Sequence, residues 1–478
     1  MKLSSNFILI LAFIVGASLL SIEIASSRMI AVFFGSSLYV WLTVLCITLL
    51  GLAIGYFIGS KLSNHTKKEK FLSYILLLTS VAISLWYLSN PIALFLLQMF
   101  SLTGCVIFHT AFLLLFPMMG LGATSTLLAN LLQRKTPHKE VYGKILMTST
   151  LGSIVGAIIC VLLLFPTLGI LLSTMVYAII IFLCAIIIFK NKSSLIVAGI
   201  IILSIVSLLT KNELKKYIYY NEGALSSISV IDKDSTRYLL VNNIIQSEMN
   251  LKTKKSNVKY IHFIDSLLPY SVNKKDALII GLGGGLLANT LLLKNYNIIG
   301  VELDSRILLV AKQFFYLSPQ IQNICADGQY FLDTAKTRKY NLIVLDIFKS
   351  EEQASYLLTR ETLEKTKTLL ADKNSMLIIN WHGYYSGESA RGTHILLNTL
   401  QSCKFYTQTV STDKNQNYSN LILFSNLSGT ELPNSVTKIY TDIKNIHTNT
   451  DFLMDLYNAK ANFEWRKNYL GFIQLLNI

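Results

Sequence analysis

The residues best suited to chemistry lie in Lys275–Asp304, KDALIIGLGGGLLANTLLLKNYNIIGVELD. Gly281, Gly283 and Gly285 fall in one run, Gly281-Leu282-Gly283-Gly284-Gly285, and Glu302 follows 21 positions after Gly281. Such a run turns the chain tightly and lets a ligand approach bare backbone. An acid about 20 positions on suits hydrogen bonds to ribose hydroxyls. The pattern is G-x-G-G-G, with Leu286 where a strict G-x-G-x-x-G would place its last glycine. That points away from a dinucleotide and towards S-adenosylmethionine or a relative.

These residues need elements to hold them. Ala277–Ile280 is a short apolar run that suits a buried parallel strand. Leu286–Leu293 has helix-forming composition, and its N-terminus would aim free N–H groups and a positive dipole end at a ligand. Asn297–Leu303 is the next strand. The alternation continues with a helix at Asp304–Phe315 and a strand at Ile321–Cys325, which ends in Ala326-Asp327-Gly328. Gln329–Ala335 is helical, Asn341–Leu345 is a strand ending in Asp346, Thr359–Leu370 is helical and Met376–Asn380 is a strand. Strands alternating with helices predict a parallel sheet with right-handed crossovers. Ligands bind such sheets at the carboxyl ends of the strands. Gly281–Gly285, Glu302, Asp327 with Gly328, and Asp346 stand at four consecutive strand ends. Each Asp also has a plain reading as a helix N-cap, strongest for Asp304 and Asp346. Upstream, Ser226–Ile231, Tyr238–Val241 and Ile244–Met249 are short strands parted by turn residues, a small β-meander, and Val258–Leu268 is helical.

Of 478 residues, 52% are hydrophobic and 14% charged. The imbalance is confined to residues 1–210, where long apolar runs predict membrane spans at Phe7–Ala25, Tyr39–Ile58, Phe71–Leu88, Gly104–Leu121, Ile145–Leu168, Leu172–Phe189 and Leu195–Leu209. The sequence thus predicts an N-terminal all-α multi-span membrane domain and a C-terminal α/β Rossmann-like fold, of S-adenosylmethionine-dependent methyltransferase type, preceded by a β-meander. The segments are 1–212 (membrane), 213–272 (β subdomain), 273–430 (nucleoside-binding catalytic domain) and 431–478 (helical tail, with helices at Phe452–Tyr457 and Trp465–Leu476). Gly51, Gly55 and Gly59, and Gly152 and Gly156, are spaced four apart, as close helix packing in lipid requires. Glu23 is a carboxylate inside the first span, costly in lipid and therefore a functional candidate, with Arg28 as a possible partner.

The net charge of +15 resides largely in short loops beside the spans, which suits a membrane surface and not nucleic acid. Lys61, Lys67, Lys68 and Lys70, then Arg134, Lys135, Lys139 and Lys144, and finally Lys190 and Lys192 mark cytoplasmic loops. Seven full spans would then put the catalytic half outside, where no adenosyl cofactor is expected. A cytoplasmic catalytic half requires Leu195–Leu209 to lie along the membrane, or Pro91–Phe100 to add a crossing. Six cysteines show no CxxC and no metal spacing, so neither a disulfide framework nor a metal site is predicted.

LIIGLGGG, VELD, ADGQYF and YNLIVLDIF resemble the spermidine synthase family, the polyamine aminopropyltransferases, over about residues 218–425. GASLLSIEIASSRMIAVFFGSSLYVW, STLGSIVGAIICVLLLFPTLG and YLLTRETLEKTKTLL resemble its membrane-fused branch. The resemblance implies decarboxylated S-adenosylmethionine as co-substrate, held at its ribose by Glu302 and at its adenine by Asp327, within a pocket that includes Gly281, Gly283, Gly285, Asp304 and Gly328. It makes Asp346 the acid that takes the proton from the attacking amine, and places Gln246 and His262 in the pocket of a small amine such as putrescine. Soluble members form homo-oligomers, so an oligomer is expected. Three acids of the family pattern are replaced, by Gly284, Lys349 and Phe263. Two alternatives stay open: a methyltransferase using S-adenosylmethionine itself, and a polyamine transporter or sensor with a nucleoside-binding domain.

Overall fold

The computed structural model describes residues 3–35, 38–135, 140–189, 193–210, 217–223, 225–268, 275–335, 338–349, 352–412, 417–431 and 447–449. The expected helices at Phe452–Tyr457 and Trp465–Leu476, and Lys139, Lys190 and Lys192, lie outside these residues. The chain divides into two compact units, Met1–Lys215 with Asn221–Ser226, and Lys216–Tyr220 with Ser227–Ile478.

The first unit is helical: α1 (Ser5–Phe34), α2 (Leu38–Leu62), α3 (Lys68–Ser84), α4 (Ser89–Met99), α5 (Leu102–Gln133), α6 (Val141–Ile159), α7 (Phe165–Leu168), α8 (Ile170–Ile188) and α9 (Ser193–Thr210). A 3-10 turn at Leu85–Leu88 carries α3 into α4, and a π turn at Cys160–Leu164 carries α6 into α7. Among the described residues, six stretches are long and apolar enough to cross a bilayer: Ser5–Phe34, Leu38–Leu62, Lys68–Met99, Leu102–Gln133, Val141–Leu168 and Ile170–Ile188. Sequence reading expected seven. The last apolar helix, α9, has 18 residues, about 27 Å at the α-helical rise, against a hydrocarbon core of about 30 Å, and is not among the six. Pro91–Phe100 adds no crossing of its own, because α4 continues the third span.

The spaced glycines pack helices, as expected. A Cβ built on Gly55 would lie 2.3 Å from the Met119 carbonyl oxygen of α5, and one on Gly152 2.1 Å from the Phe13 carbonyl oxygen of α1. Glu23 and Arg28 are both part-buried in α1. Five residues apart, they stand about 140° from each other around the helix, outside the i+3 and i+4 neighbour spacing.

A four-stranded meander follows, β1 (Tyr219–Glu222), β2 (Ser227–Lys233), β3 (Thr236–Val241) and β4 (Ile244–Asn250), in that order, with β2, β3 and β4 in the second unit. Both predicted turns are tight, with positive φ at Asp234 and Ser235 and at Asn242 and Asn243, as two-residue hairpins demand. β1 was not predicted; YYNE is short and largely unburied, with no apolar alternation.

After α10 (Lys259–Leu267) comes the alternating stretch: β5 (Lys275–Ile280), α11 (Leu286–Leu293), β6 (Tyr296–Glu302), α12 (Ser305–Phe314), β7 (Gln322–Cys325), α13 (Gly328–Thr334) and β8 (Leu342–Leu345). A two-stranded ribbon, β9 (Phe348–Lys349) and β10 (Glu352–Gln353), leads to a 3-10 turn at Ser355–Leu358. Then follow α14 (Arg360–Thr368), β11 (Met376–Tyr384), α15 (Arg391–Ser402), β12 (Tyr406–Ser411) and β13 (Tyr418–Asn426). The sheet order is β12-β13-β11-β8-β5-β6-β7. β11, β8, β5, β6 and β7 run parallel, and β13 lies antiparallel between β11 and β12. This is the Rossmann-like, methyltransferase-type arrangement that the sequence predicted, with the β12–β13 hairpin added.

Both faces are covered, so the strands are apolar throughout. Ala277 and Ile279 of β5 join one core with α10, α11, α12 and the meander residues Ile228, Val230 and Leu239. Leu278 and Ile280 join the other, with Leu363 of α14 and Ile395 and Leu396 of α15. The strand order reverses between β5 and β8, which opens a crevice at their carboxyl ends.

The glycine contacts carry a test. Gly55→Leu and Gly152→Val each force α-helical backbones apart, at a cost of about 1–3 kcal/mol or more, and lower the thermal midpoint of the detergent-solubilised protein. Gly143→Ala and Gly199→Ala, where a Cβ meets nothing within 4 Å, leave it unchanged or raise it.

Candidate active site

The crevice is built on a backbone contact. Gly281 follows β5 with φ 88°, a region that favours glycine. A Cβ there would lie 1.9 Å from the Asp346 carbonyl oxygen. Asp346 N–H donates to the Ile280 carbonyl (2.8 Å). The ends of β5 and β8 are therefore locked side by side. Gly283 and Gly285 share the positive-φ region, at 51° and 73°.

Glu302 ends β6, is 8% exposed, and holds the glycine loop from behind. Its Oε2 accepts from Leu282 N–H (3.0 Å) and Gly283 N–H (3.3 Å), and its Oε1 from Asp304 N–H (3.2 Å). Burial pushes its carboxyl above the usual carboxylate range, while these three amides pull it back. The other loop amides are also spent within the chain. Gly281 N–H donates to the Val301 carbonyl, Gly285 N–H to that of Leu282, and Gly284 N–H to Ser247 Oγ (2.9 Å). A pyrophosphate needs such amides free. The loop suits a ligand without phosphate, in line with the missing last glycine.

Ser247 was not singled out in the sequence. It reaches Gly284 because the β3–β4 register skips a residue: Leu239 faces Ser247 while Leu240 faces Ile245. The residue left over is Gln246, so this predicted pocket residue sits on a β-bulge beside the glycine loop. Bulges re-aim side chains near sites. A Cβ on Gly284 would meet Ser247 Cβ and Oγ, each at 3.0 Å, and Phe315 at 3.1 Å. Ser247 and Phe315 thus crowd this position.

The acids divide into two groups. Asp304 caps α12, accepting from Arg306 N–H (3.0 Å) and pairing with the Arg306 guanidinium (2.5 Å). Asp327 caps α13 through Gln329 N–H (2.9 Å) and Tyr330 N–H (3.1 Å), and its Oδ2 accepts from the Tyr356 hydroxyl (3.0 Å). Gly328 opens that helix against Ile280, with 2.6 Å left for a Cβ. Capping is therefore a real duty for Asp304 and Asp327.

Asp346 caps no helix. Its Oδ2 accepts from the Tyr260 hydroxyl (2.5 Å) and its Oδ1 from the Asn380 side-chain amide (2.9 Å). Asn380 Oδ1 in turn accepts from the Asn420 amide (3.1 Å). Burial raises the Asp346 carboxyl, and the two hydrogen bonds oppose the rise. Tyr260 is pushed well above its ordinary value by burial first and then by the Asp346 charge, so it stays a donor. The carboxylate is held at two oxygens with its acceptor capacity only partly used, the state a proton acceptor needs.

Tyr260, and not His262, is the α10 residue that meets Asp346. His262 lies about 200° further around the helix and is exposed. Asn380 could have been found by the rule that picked the others: it is a polar residue closing the apolar run Met376–Ile379 at a strand's carboxyl side. Tyr260 carried no signal beyond its place on a helix.

No family model matches the chain. The chain is 31% identical over 133 residues to a polyamine aminopropyltransferase of Vibrio vulnificus, covering 27% of this chain and 44% of that protein. It is 25% identical over 162 residues to the polyamine aminopropyltransferase of Thermoplasma volcanium, covering 32% and 59%. It is 25% identical over 165 residues to an N-terminal histidine N-methyltransferase of Emericella nidulans, covering 33% and 29%. The chain thus spans less than two thirds of each of these relatives. Among solved structures, a probable spermidine synthase from Corynebacterium glutamicum matches at 17% identity and TM-score 0.38, over 44% of this chain and 79% of that one.

Removing the Glu302 carboxylate strands buried amides, each costing about 1–3 kcal/mol. Glu302→Ala therefore lowers the thermal midpoint, and Glu302→Gln, which keeps one acceptor oxygen, lowers it less.

Proposed function

We propose that the protein is a membrane-anchored, spermidine synthase-like transferase that moves an aminopropyl group from decarboxylated S-adenosylmethionine to putrescine or a related amine. The observation that carries this reading is the Asp346 carboxylate, held by Tyr260 and Asn380 beside the glycine loop. The sequence similarity to polyamine aminopropyltransferases supports it.

In this reading Glu302, Asp327 and the glycine loop hold the adenosine part, and Gln246 borders the amine, while His262 is exposed on the side of α10 opposite Tyr260. The neutral amine nitrogen attacks the propyl carbon bound to the sulfonium. A C–N bond forms, the C–S bond breaks, and methylthioadenosine leaves with the electron pair. The proton on the new ammonium passes to Asp346. Tyr260 and Asn380 orient that carboxylate and stabilise its charge.

Glu222 Oε2 accepts from Ile170 N–H (2.6 Å) at the turn between the fifth and sixth apolar stretches, the end of the helices opposite the Lys/Arg-rich loops. This contact runs against the cytoplasmic placement expected for the chain after residue 210.

A second reading is methyl transfer from S-adenosylmethionine. Closure of the Gly284 position by Ser247 favours it, because an acid that would meet the donor's amino end is replaced by a hydroxyl. The similarity to a methyltransferase agrees.

The full-length protein, incubated with putrescine and decarboxylated S-adenosylmethionine, is expected to give spermidine and methylthioadenosine by mass spectrometry. Methylated amine from S-adenosylmethionine, with no spermidine, would decide for the second reading. Asp346→Asn retains donor affinity while turnover falls about a hundredfold or more. Tyr260→Phe removes a hydrogen bond that favours the charged carboxylate. The Asp346 carboxyl then rises further, and the acidic limb of kcat/KM moves to higher pH than in the wild type.

A further inference from the structure

His447–Asn449 belong to no motif used above, yet they bind at a definite place. His447 is 2% exposed. Its N–H donates to Thr399 Oγ1 on α15 (2.9 Å). Its carbonyl accepts from Arg360 N–H at the start of α14 (2.9 Å), a group with no acceptor inside the helix. Its Nε2 lies 3.2 Å from the Ser355 carbonyl. A carbonyl only accepts, so Nε2 carries the proton and donates. Asn449 N–H donates to Glu361 Oε2 (3.1 Å). The Ser355–Leu358 turn is thus gripped from behind. The next residue of that turn, Tyr356, sends its hydroxyl to Asp327 Oδ2 (3.0 Å), and its carbonyl accepts from Thr362 Oγ1 (3.1 Å).

We propose that His447 is a positioning residue for the nucleoside site: by holding the Ser355 carbonyl it fixes Tyr356, and through Tyr356 the carboxylate of Asp327. This rests on the reading that Asp327 borders the adenosine part of the ligand. His447 then serves the site without touching the reacting atoms. A residue that only fills space would set stability. A residue that aims Tyr356 sets nucleoside affinity, and shares that effect with Tyr356 itself.

The test uses the full-length protein in detergent, with methylthioadenosine as the probe in calorimetry. This nucleoside reports the adenosine pocket whichever group is transferred. His447→Ala is expected to weaken binding tenfold or more, and Tyr356→Phe to do likewise. The double variant is expected to bind no worse than the weaker single one, because both act through one contact. His447→Gln, whose side-chain N–H can reach the Ser355 carbonyl, recovers most of the affinity and covers the case in which His447→Ala does not fold. Affinity within twofold of wild type for His447→Ala, or for His447→Gln and Tyr356→Phe together, overturns the proposal. Fully additive losses in the double variant do so as well. Absence of binding by the wild-type chain would instead overturn the nucleoside reading, and the proposal with it.

Discussion

The second unit depends on one close approach, that of Gly281 to the Asp346 carbonyl. No Cβ fits between them, so the turn after β5 and the end of β8 meet as bare backbone. That contact lies where the strand order reverses and the crevice opens. Everything proposed for the site stands on one side of it or the other: the glycine loop and Glu302 towards β6, and Asp346, Asn380 and Asn420 towards β11 and β13. A side chain at 281 would separate these two groups.

Two carboxylates at this crevice are raised by burial, yet they differ in use. Glu302 is spent on three backbone amides and gives the loop its shape. Asp346 is held by two side chains, Tyr260 and Asn380, from different elements. Such an arrangement fixes an acceptor without consuming it. The same contrast separates Asp304 and Asp327, which cap helices, from Asp346, which does not. An acid at a strand end is therefore not one kind of residue, and only its partners tell the kinds apart.

The helical unit, with six helices apolar and long enough for a bilayer, packs by a similar device. Between helices in lipid, packing must come from close contact. Gly55 and Gly152 allow backbone against backbone, at distances no side chain would permit. In both halves, what the chain omits lets two segments meet.

The sequence by itself determined the apolar helices, the alternating strands and helices, and the acids at the strand ends, because these are local patterns of period, composition and spacing. It placed Glu302, Asp327 and Asp346 correctly at the carboxyl ends of β6, β7 and β8. It did not determine which acids are caps, since N-capping and ligand binding draw on the same residue type at the same place. It missed Tyr260, Ser247 and Asn420, because their partners lie 86, 37 and 40 residues away in the chain. Only the tertiary structure decided these, through the β-bulge at Gln246, the insertion of β13 between β11 and β12, and the packing of α10 on the sheet. It also showed that Pro91–Phe100 continues the helix before it, which a run of apolar residues does not reveal.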